Sequence, residues 1–206
     1  MKRMIIALCA GLLLVACEEK EPAPEIEAAP SVSQIELPAM RWSEAENRAL
    51  WNEAALTALD THGRPLLEIV PSDIDTWCPN YRASDDAGRA AFWVGFMSAL
   101  AKHESTYKPR AVNPNGKWFG LLQISPATAR GYGCRAESGE ALKVGGENLS
   151  CAIRIMAVTV PRDGVIAAND GRWRGVAADW GPLRRSSKQN DIAGWLNDQP
   201  FCQEPT

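Results

Sequence analysis

Apolar positions along this chain recur at helical rather than strand spacing. The clearest stripe is Trp93, Phe96, Met97 and Leu100, at i, i+3, i+4 and i+7, which is one face of a helix. Ser84-Asp85-Asp86 supplies cap chemistry before it, and Pro109 marks a stop after it. An earlier helix is expected from Ser43, with Glu44 and Glu46 near the positive end of its dipole, to about Thr61, closing at Gly63. Residues 71–83 read as a loop, and residues 126–130 as a short helical turn. Residues 147–160 form another helical pattern, ended by Pro161. Residues 162–172 read as a loop, and residues 173–180 and 188–197 as two short helices. No stretch alternates convincingly. The expectation is a mainly α single domain, with a small irregular or β-like element around 112–124.

The first residues follow a different pattern. Lys2 and Arg3 precede an apolar run, 4–15, that closes on Leu14-Val15-Ala16-Cys17. The run is shorter than the ~20 residues of a spanning helix and has the form of a secretory signal. Leu-Val-Ala-Cys resembles the lipobox of bacterial lipoproteins, which implies cleavage after residue 16 and lipidation of Cys17. Several acyl chains there would anchor the protein stably to a membrane. Glu18 stands after the cysteine, and the lack of Asp there points by the same resemblance to the outer membrane. Residues 17–40 then read as an anchor and tether, rich in Glu and Pro and without aromatic residues. Such a segment buries too little apolar surface to offset its ordering. The globular domain is expected over 41–206.

Charge narrows the function classes. The chain carries a formal net charge of −3, and losing Lys2 and Arg3 makes it more acidic. That argues against general nucleic-acid binding, which depends on basic residues. The cysteines lack Cys-x-x-Cys spacing and only two histidines exist, so no metal site and no cofactor are expected.

The helical stripe holds one candidate for chemistry. Its next position after Leu100 is Glu104. A carboxyl at the end of a buried face is desolvated, which raises its pKa and lets it hold a proton near neutrality. The competing reading is a surface ion pair with Lys102, Lys108 or Arg110. His103 next to it points about 100° away on a helix and is expected to be exposed.

The surrounding residues decide between these readings. Glu104-Ser105, Gly120-Leu121-Leu122-Gln123-Ile124 and Pro126-Ala127-Thr128-Ala129 stand in order across one segment. Together they resemble the core motifs of lytic transglycosylases of the soluble-lytic-transglycosylase type. Glu147-Asn148-Leu149 resembles the family's later helix start. The resemblance covers roughly residues 75–185. It implies a lysozyme-like domain with a glycan cleft and peptidoglycan strands as substrate. It implies cleavage of the β-1,4 bond between N-acetylmuramic acid and N-acetylglucosamine with a 1,6-anhydro product. Glu104 carries over as the catalytic residue. Ser105, Leu122, Gln123 and Asp179 are the candidate substrate-binding residues, and Gly120 allows a close turn. Trp118 is placed to stack on a sugar, whereas Trp51 and Trp93 read as core.

The chain departs from the family at Ala178-Asp179-Trp180-Gly181, where the motif has Tyr-Asn-Ala-Gly. Ala178 replaces a tyrosine whose role Tyr132 would have to take. Asp179 either faces Glu104 as a second carboxylate or pairs with Arg184 or Arg185 near the surface. The sequence favours the ion pair. Asn113 stands where serine is common, and Leu122 replaces methionine. A hydrolytic muramidase and a non-catalytic peptidoglycan-binding lipoprotein are the alternative functions.

Four cysteines remain after Cys9 and Cys17 are set aside, and an even number in an exported chain suggests two disulfides, with three possible pairings. Cys134–Cys151 is favoured because it would staple the segment after the motif loop to a helix, worth ~3 kcal/mol in the chain-entropy model. Cys78–Cys202 would then join the two ends of the domain.

Overall fold

The computed structural model describes residues 31–203. In chain order the helices are α1 (Arg48–Asp60), α2 (Arg64–Glu68), α3 (Ile74–Trp77), α4 (Asp86–Glu104), α5 (Pro126–Gly131), α6 (Gly139–Leu142), α7 (Gly145–Asp163) and α8 (Ser186–Asn197). A two-stranded antiparallel sheet, β1 (Ala167–Asn169) and β2 (Trp173–Gly175), lies between α7 and α8. The fold is mainly α, as expected.

α4 is the axis of the domain. Asp85 caps it by accepting the Gly88 N–H at 2.9 Å, offsetting one orphan donor of the first turn. Every residue from Ala90 to Ala101 is buried, so the helix is enclosed on all sides and not only along its stripe. α1, α2 and α8 pack on it. Trp93 meets Phe92 and Phe96 edge to face, and these in turn meet Tyr81 and Trp77 in the same geometry. The polar ends of this cluster are satisfied: Trp93 donates to Leu66 O at 3.0 Å and Tyr81 donates to the same oxygen at 2.8 Å. α7 packs on α1 and α2. Trp51 and Trp93 are both buried.

Cys78–Cys202 and Cys134–Cys151 are bridged. The first spans 124 residues and the second 17. In the chain-entropy model such closures contribute about 5 and about 3 kcal/mol.

Several expectations are corrected. The tether does not extend to residue 40: Val32 and Met40 are buried, and Ile35 and Leu37 pack against the core. These four apolar residues are diluted among Glu and Pro when composition is averaged over 17–40. Ser31 also donates to the Asp60 carboxylate at the end of α1. The signal segment, Cys17 and the acidic run to residue 30 lie outside the described residues. α1 starts at Arg48, not Ser43, because residues 41–47 are held in turns by bonds such as Ser43 N–H to Met40 O. Residues 71–83 contain α3 and a 3-10 turn, Pro79–Arg82. Pro161 does not end α7, which continues to Asp163 and stops at Gly164 with φ 70°. The proline is exposed in the last turn, where a lost backbone bond is easily met by water. Residues 173–180 are not helical throughout; they form β2 and a 3-10 turn, Val176–Ala178. The element at 112–124 is a pair of isolated bridges, Val112 to Phe119 and Phe119 to Ile124.

Candidate active site

α4 ends on Glu104, and the chain turns sharply. Thr106 and Tyr107 have φ of 53° and 60°. Gln123, across the following loop, has φ 48°. Among the described residues these are the non-glycine residues with positive φ; Thr106 and Tyr107 follow closely on Glu104, and Gln123 lines the same cleft as Glu104. Left-handed backbone at such residues costs of order 1–3 kcal/mol each and clusters at functional sites.

The cleft has a volume of about 530 Å³. Glu104 and His103 line it from the end of α4. Asn113, Trp118 and Gln123 form one wall, and the stretch Asp179–Arg185 with Lys188 forms the other. Glu104 is deeply set, and burial pushes its carboxyl up to about 7, against a smaller opposing pull from the Lys188 charge. Its pKa therefore lies where it exchanges a proton at neutral pH.

The loop that faces Glu104 is held from below. Asn148, fully buried at the start of α7, accepts the Leu122 N–H at 2.9 Å and donates to Phe119 O and Leu142 O at 2.9 and 3.0 Å. Gly120 runs so close beneath that a Cβ there would sit 2.1 Å from Leu142 O and 2.3 Å from the Asn148 Nδ2. Its φ is 83°, so both space and backbone require glycine. Gln123 folds its amide onto Gly120 O at 2.9 Å and Ala111 O at 3.3 Å. Asn113 Oδ1 accepts the Lys117 and Trp118 amides at 2.8 and 3.0 Å, which presents Trp118 at the cleft with 41% of its surface exposed.

The sequence-derived candidates divide into two groups. Glu104, Gln123, Asp179 and Trp118 meet in the cleft. Ser105 and Leu122 do not line it. Ser105 is buried and its hydroxyl donates back to Ala101 O at 3.3 Å. Leu122 is fully buried and its carbonyl accepts the Trp180 indole N–H at 2.9 Å. They support the site from behind. Tyr132 is half-buried beside Asp179 and Arg162 and is not among the cleft residues.

Two side-chain expectations are corrected. Asp179 does not pair with Arg184 or Arg185. The Arg184 guanidinium donates instead to Ala177 O and Ala178 O at 2.8 and 2.6 Å, leaving Asp179 to the cleft, where burial pushes its carboxyl up. His103 is not exposed. Its Nε2 lies 2.7 Å from Asp191, and since the ionised carboxylate only accepts, that nitrogen carries the proton. Asp191 also receives a bidentate pair from Arg41 at 2.7 and 2.9 Å and Lys102 at 3.0 Å. These partners hold its carboxyl well below the usual carboxylate range. Burial lowers the His103 pKa, against the opposing pull of Asp191.

Sequence reasoning missed Asp191, Arg41 and Lys188, and it read Arg184 and Arg185 as ion-pair partners, not as cleft residues. Their signal is long-range: Asp191 joins residues 88 and 150 positions away.

A family model described as Transglycosylase SLT domain matches residues 85–162, the stretch from the α4 cap to the end of α7. No curated protein matches. Among solved structures, a glutamate-to-glutamine variant of Bd0314 DslA is 30% identical with TM-score 0.74, covering 82% of this chain and 100% of that one. The wild-type form 2 of Bd0314 DslA is 31% identical with TM-score 0.74, covering 81% and 98%. A second glutamate-to-glutamine variant is 32% identical over the same shares, again with TM-score 0.74. Sharing the family's core segment and, over most of its length, this fold, the chain belongs to the SLT-domain family of lytic transglycosylases.

Proposed function

We propose that the protein cleaves the β-1,4 bond between N-acetylmuramic acid and N-acetylglucosamine in peptidoglycan, leaving a 1,6-anhydro end. The observation that carries this is Glu104: a deeply set carboxyl in the cleft, with its pKa pushed up to about 7. Protonated, it gives its proton to the glycosidic oxygen as the bond to the muramyl C1 breaks. Ionised, it takes the proton of the sugar's own C6 hydroxyl as that oxygen bonds to C1. No water is consumed and the proton returns to its starting atom, so one carboxyl serves as acid and then base. The two-carboxylate arrangement of ordinary glycosidases is not required. Gln123 and Trp118 orient the sugar in this reading, and no cofactor takes part.

Asp179 favours a second reading. A second carboxyl shares the cleft with Glu104, and a base able to activate water would give hydrolysis and a reducing end. Mass spectrometry of muropeptides released from purified sacculi separates the two. Anhydro ends, one water lighter and absent with Glu104→Gln, support the transglycosylase. Reducing ends lost in Asp179→Asn support the muramidase. Protein that binds sacculi and releases nothing overturns both and leaves a binding lipoprotein.

The setting follows from the N-terminus. Leu14-Val15-Ala16-Cys17 supports export, removal of residues 1–16 and lipid attachment at Cys17. The acidic, proline-containing run that follows would hold the domain off the periplasmic face of the outer membrane. Two disulfides suit that oxidising compartment. Incorporation of labelled palmitate, lost in Cys17→Ala, tests the anchor.

A further inference from the structure

The chain is acidic overall, yet one wall of its cleft is cationic. Arg184, Arg185 and Lys188 line it, against only Asp179 and a Glu104 that is half neutral near pH 7. The three cations form no salt bridge among the described residues. Arg184 is pinned by its bonds to Ala177 O and Ala178 O, which use Nε and Nη2 and leave Nη1 for a ligand. Arg185 immediately precedes α8 and Lys188 lies in its first turn, three residues on, and both side chains line the same cleft.

Folding stability does not account for the placement of Arg185 and Lys188. The N-terminal end of a helix carries partial positive charge and disfavours cations. Here the first turn of α8 holds no acidic residue to compensate. A local rule broken without compensation points to function. Nor does a neutral sugar account for it. Hydroxyls and N-acetyl groups would partly desolvate these cations without returning a charge.

We propose that Arg184, Arg185 and Lys188 form a carboxylate-binding wall, so that the enzyme selects glycan bearing a free carboxylate beside the bond it cuts. The inference rests on the glycan-cleaving function proposed above. Two carboxylates fit that position chemically. One is the lactyl carboxylate of a muramic acid stripped of its peptide, and the other belongs to the peptide stem. Both are planar acceptors suited to a guanidinium fork.

The test uses the full-length protein and three glycan substrates: strands with native stems, strands with carbodiimide-amidated stems, and strands denuded by an amidase. Cleavage of the native strands with KM raised about tenfold on amidation, and kcat little changed, is the expected result. Arg185→Gln then narrows the difference between native and amidated strands. Lys188→Gln does the same and also moves the alkaline limb of the pH profile upward, since its charge opposes the rise in the Glu104 pKa. Denuded strands cut better than native ones, whose lactyl carboxyl is consumed in the amide to the stem, assign the lactyl carboxylate; denuded strands cut as poorly as amidated ones assign the stem, and denuded strands cut equally to native ones show that either carboxylate serves. Equal cleavage of all three substrates overturns the inference alone, as does full discrimination retained in both variants. No cleavage of any substrate overturns the glycan-cleaving function and this inference with it.

Discussion

Asn148 holds Leu122 across the base of the cleft, its side-chain oxygen accepting the Leu122 amide at 2.9 Å while its nitrogen serves Phe119 O and Leu142 O. One buried side chain thus satisfies three backbone groups of a segment that has little regular structure of its own. Replacing it by leucine removes every partner at once and leaves those groups dry. Asn148→Leu is expected to lower stability by about 3 kcal/mol, read as a shift in the urea midpoint. Since Gln123 follows Leu122 directly, kcat is expected to fall in parallel. A variant that unfolds at the wild-type midpoint would show that the loop does not depend on this amide.

Glu104 gives a prediction in which activity and stability move oppositely. In the folded protein its pKa stands at about 7 against an ordinary 4.5, so the native state binds this proton more tightly than the unfolded chain. The stability this group contributes is complete below about pH 4.5 and is lost as pH rises through about 7. Glu104→Gln keeps the shape without the charge. It is expected to match wild type at pH 4 and to exceed it at pH 8 by at most about 3 kcal/mol, measured by urea titration. The same variant loses turnover. In wild type, kcat/KM falls above about pH 7 as the acid form is depleted. A flat profile between pH 6 and 9 would remove Glu104 from the acid role.

How far these features are legible in the sequence depends on their range. Asp85, the stripe through Leu100 and Glu104 all lie on one helix, and local spacing places them. The motif loop is readable for the same reason, as Gly120 and Gln123 act on neighbours. The His103–Asp191 contact joins positions 88 apart, and nothing local in either residue announces it. β1 and β2 have three residues each, too few to show alternation. Pro161 misled because a proline in the last exposed turn costs little. Val32 and Met40 were hidden because burial is decided residue by residue, while a tether is recognised by average composition. Asp179 was misplaced because two nearby arginines made an ion pair the simplest local answer, although Arg184 is engaged by backbone carbonyls.

The Asp191 cluster yields a prediction with the opposite pH sign. Arg41, Lys102 and His103 hold this carboxyl far below its ordinary 3.8, so its stabilisation is present above that value and is lost only as pH falls through the lowered one. Asp191→Asn is expected to lose about 1–3 kcal/mol at pH 7. The loss stays small because the Asp191 side chain is 33% exposed and solvent screens the pairs. The gap from wild type persists at pH 5 and narrows only in stronger acid. His103 is released as well, so KM rises. A gap that closed by pH 5 would show that the cluster is not held by an ionised Asp191.

Trp118 separates binding from folding most cleanly. Its backbone is fixed by Asn113, but its ring is 41% exposed and lies on the cleft wall, so it contributes little to the core. Trp118→Ala is expected to change stability by no more than about 0.5 kcal/mol. A stacked ring contributes about 0.5–1.5 kcal/mol beyond the area it buries, and the lost burial adds to that, so KM for glycan strands should rise about tenfold. If the ring grips the bound sugar and the transition state equally, kcat is unchanged. Trp118→Phe keeps an aromatic face and should recover most of the loss. A fall in kcat at constant KM would instead place Trp118 in distortion of the reacting sugar. No change in either parameter would remove it from the glycan site.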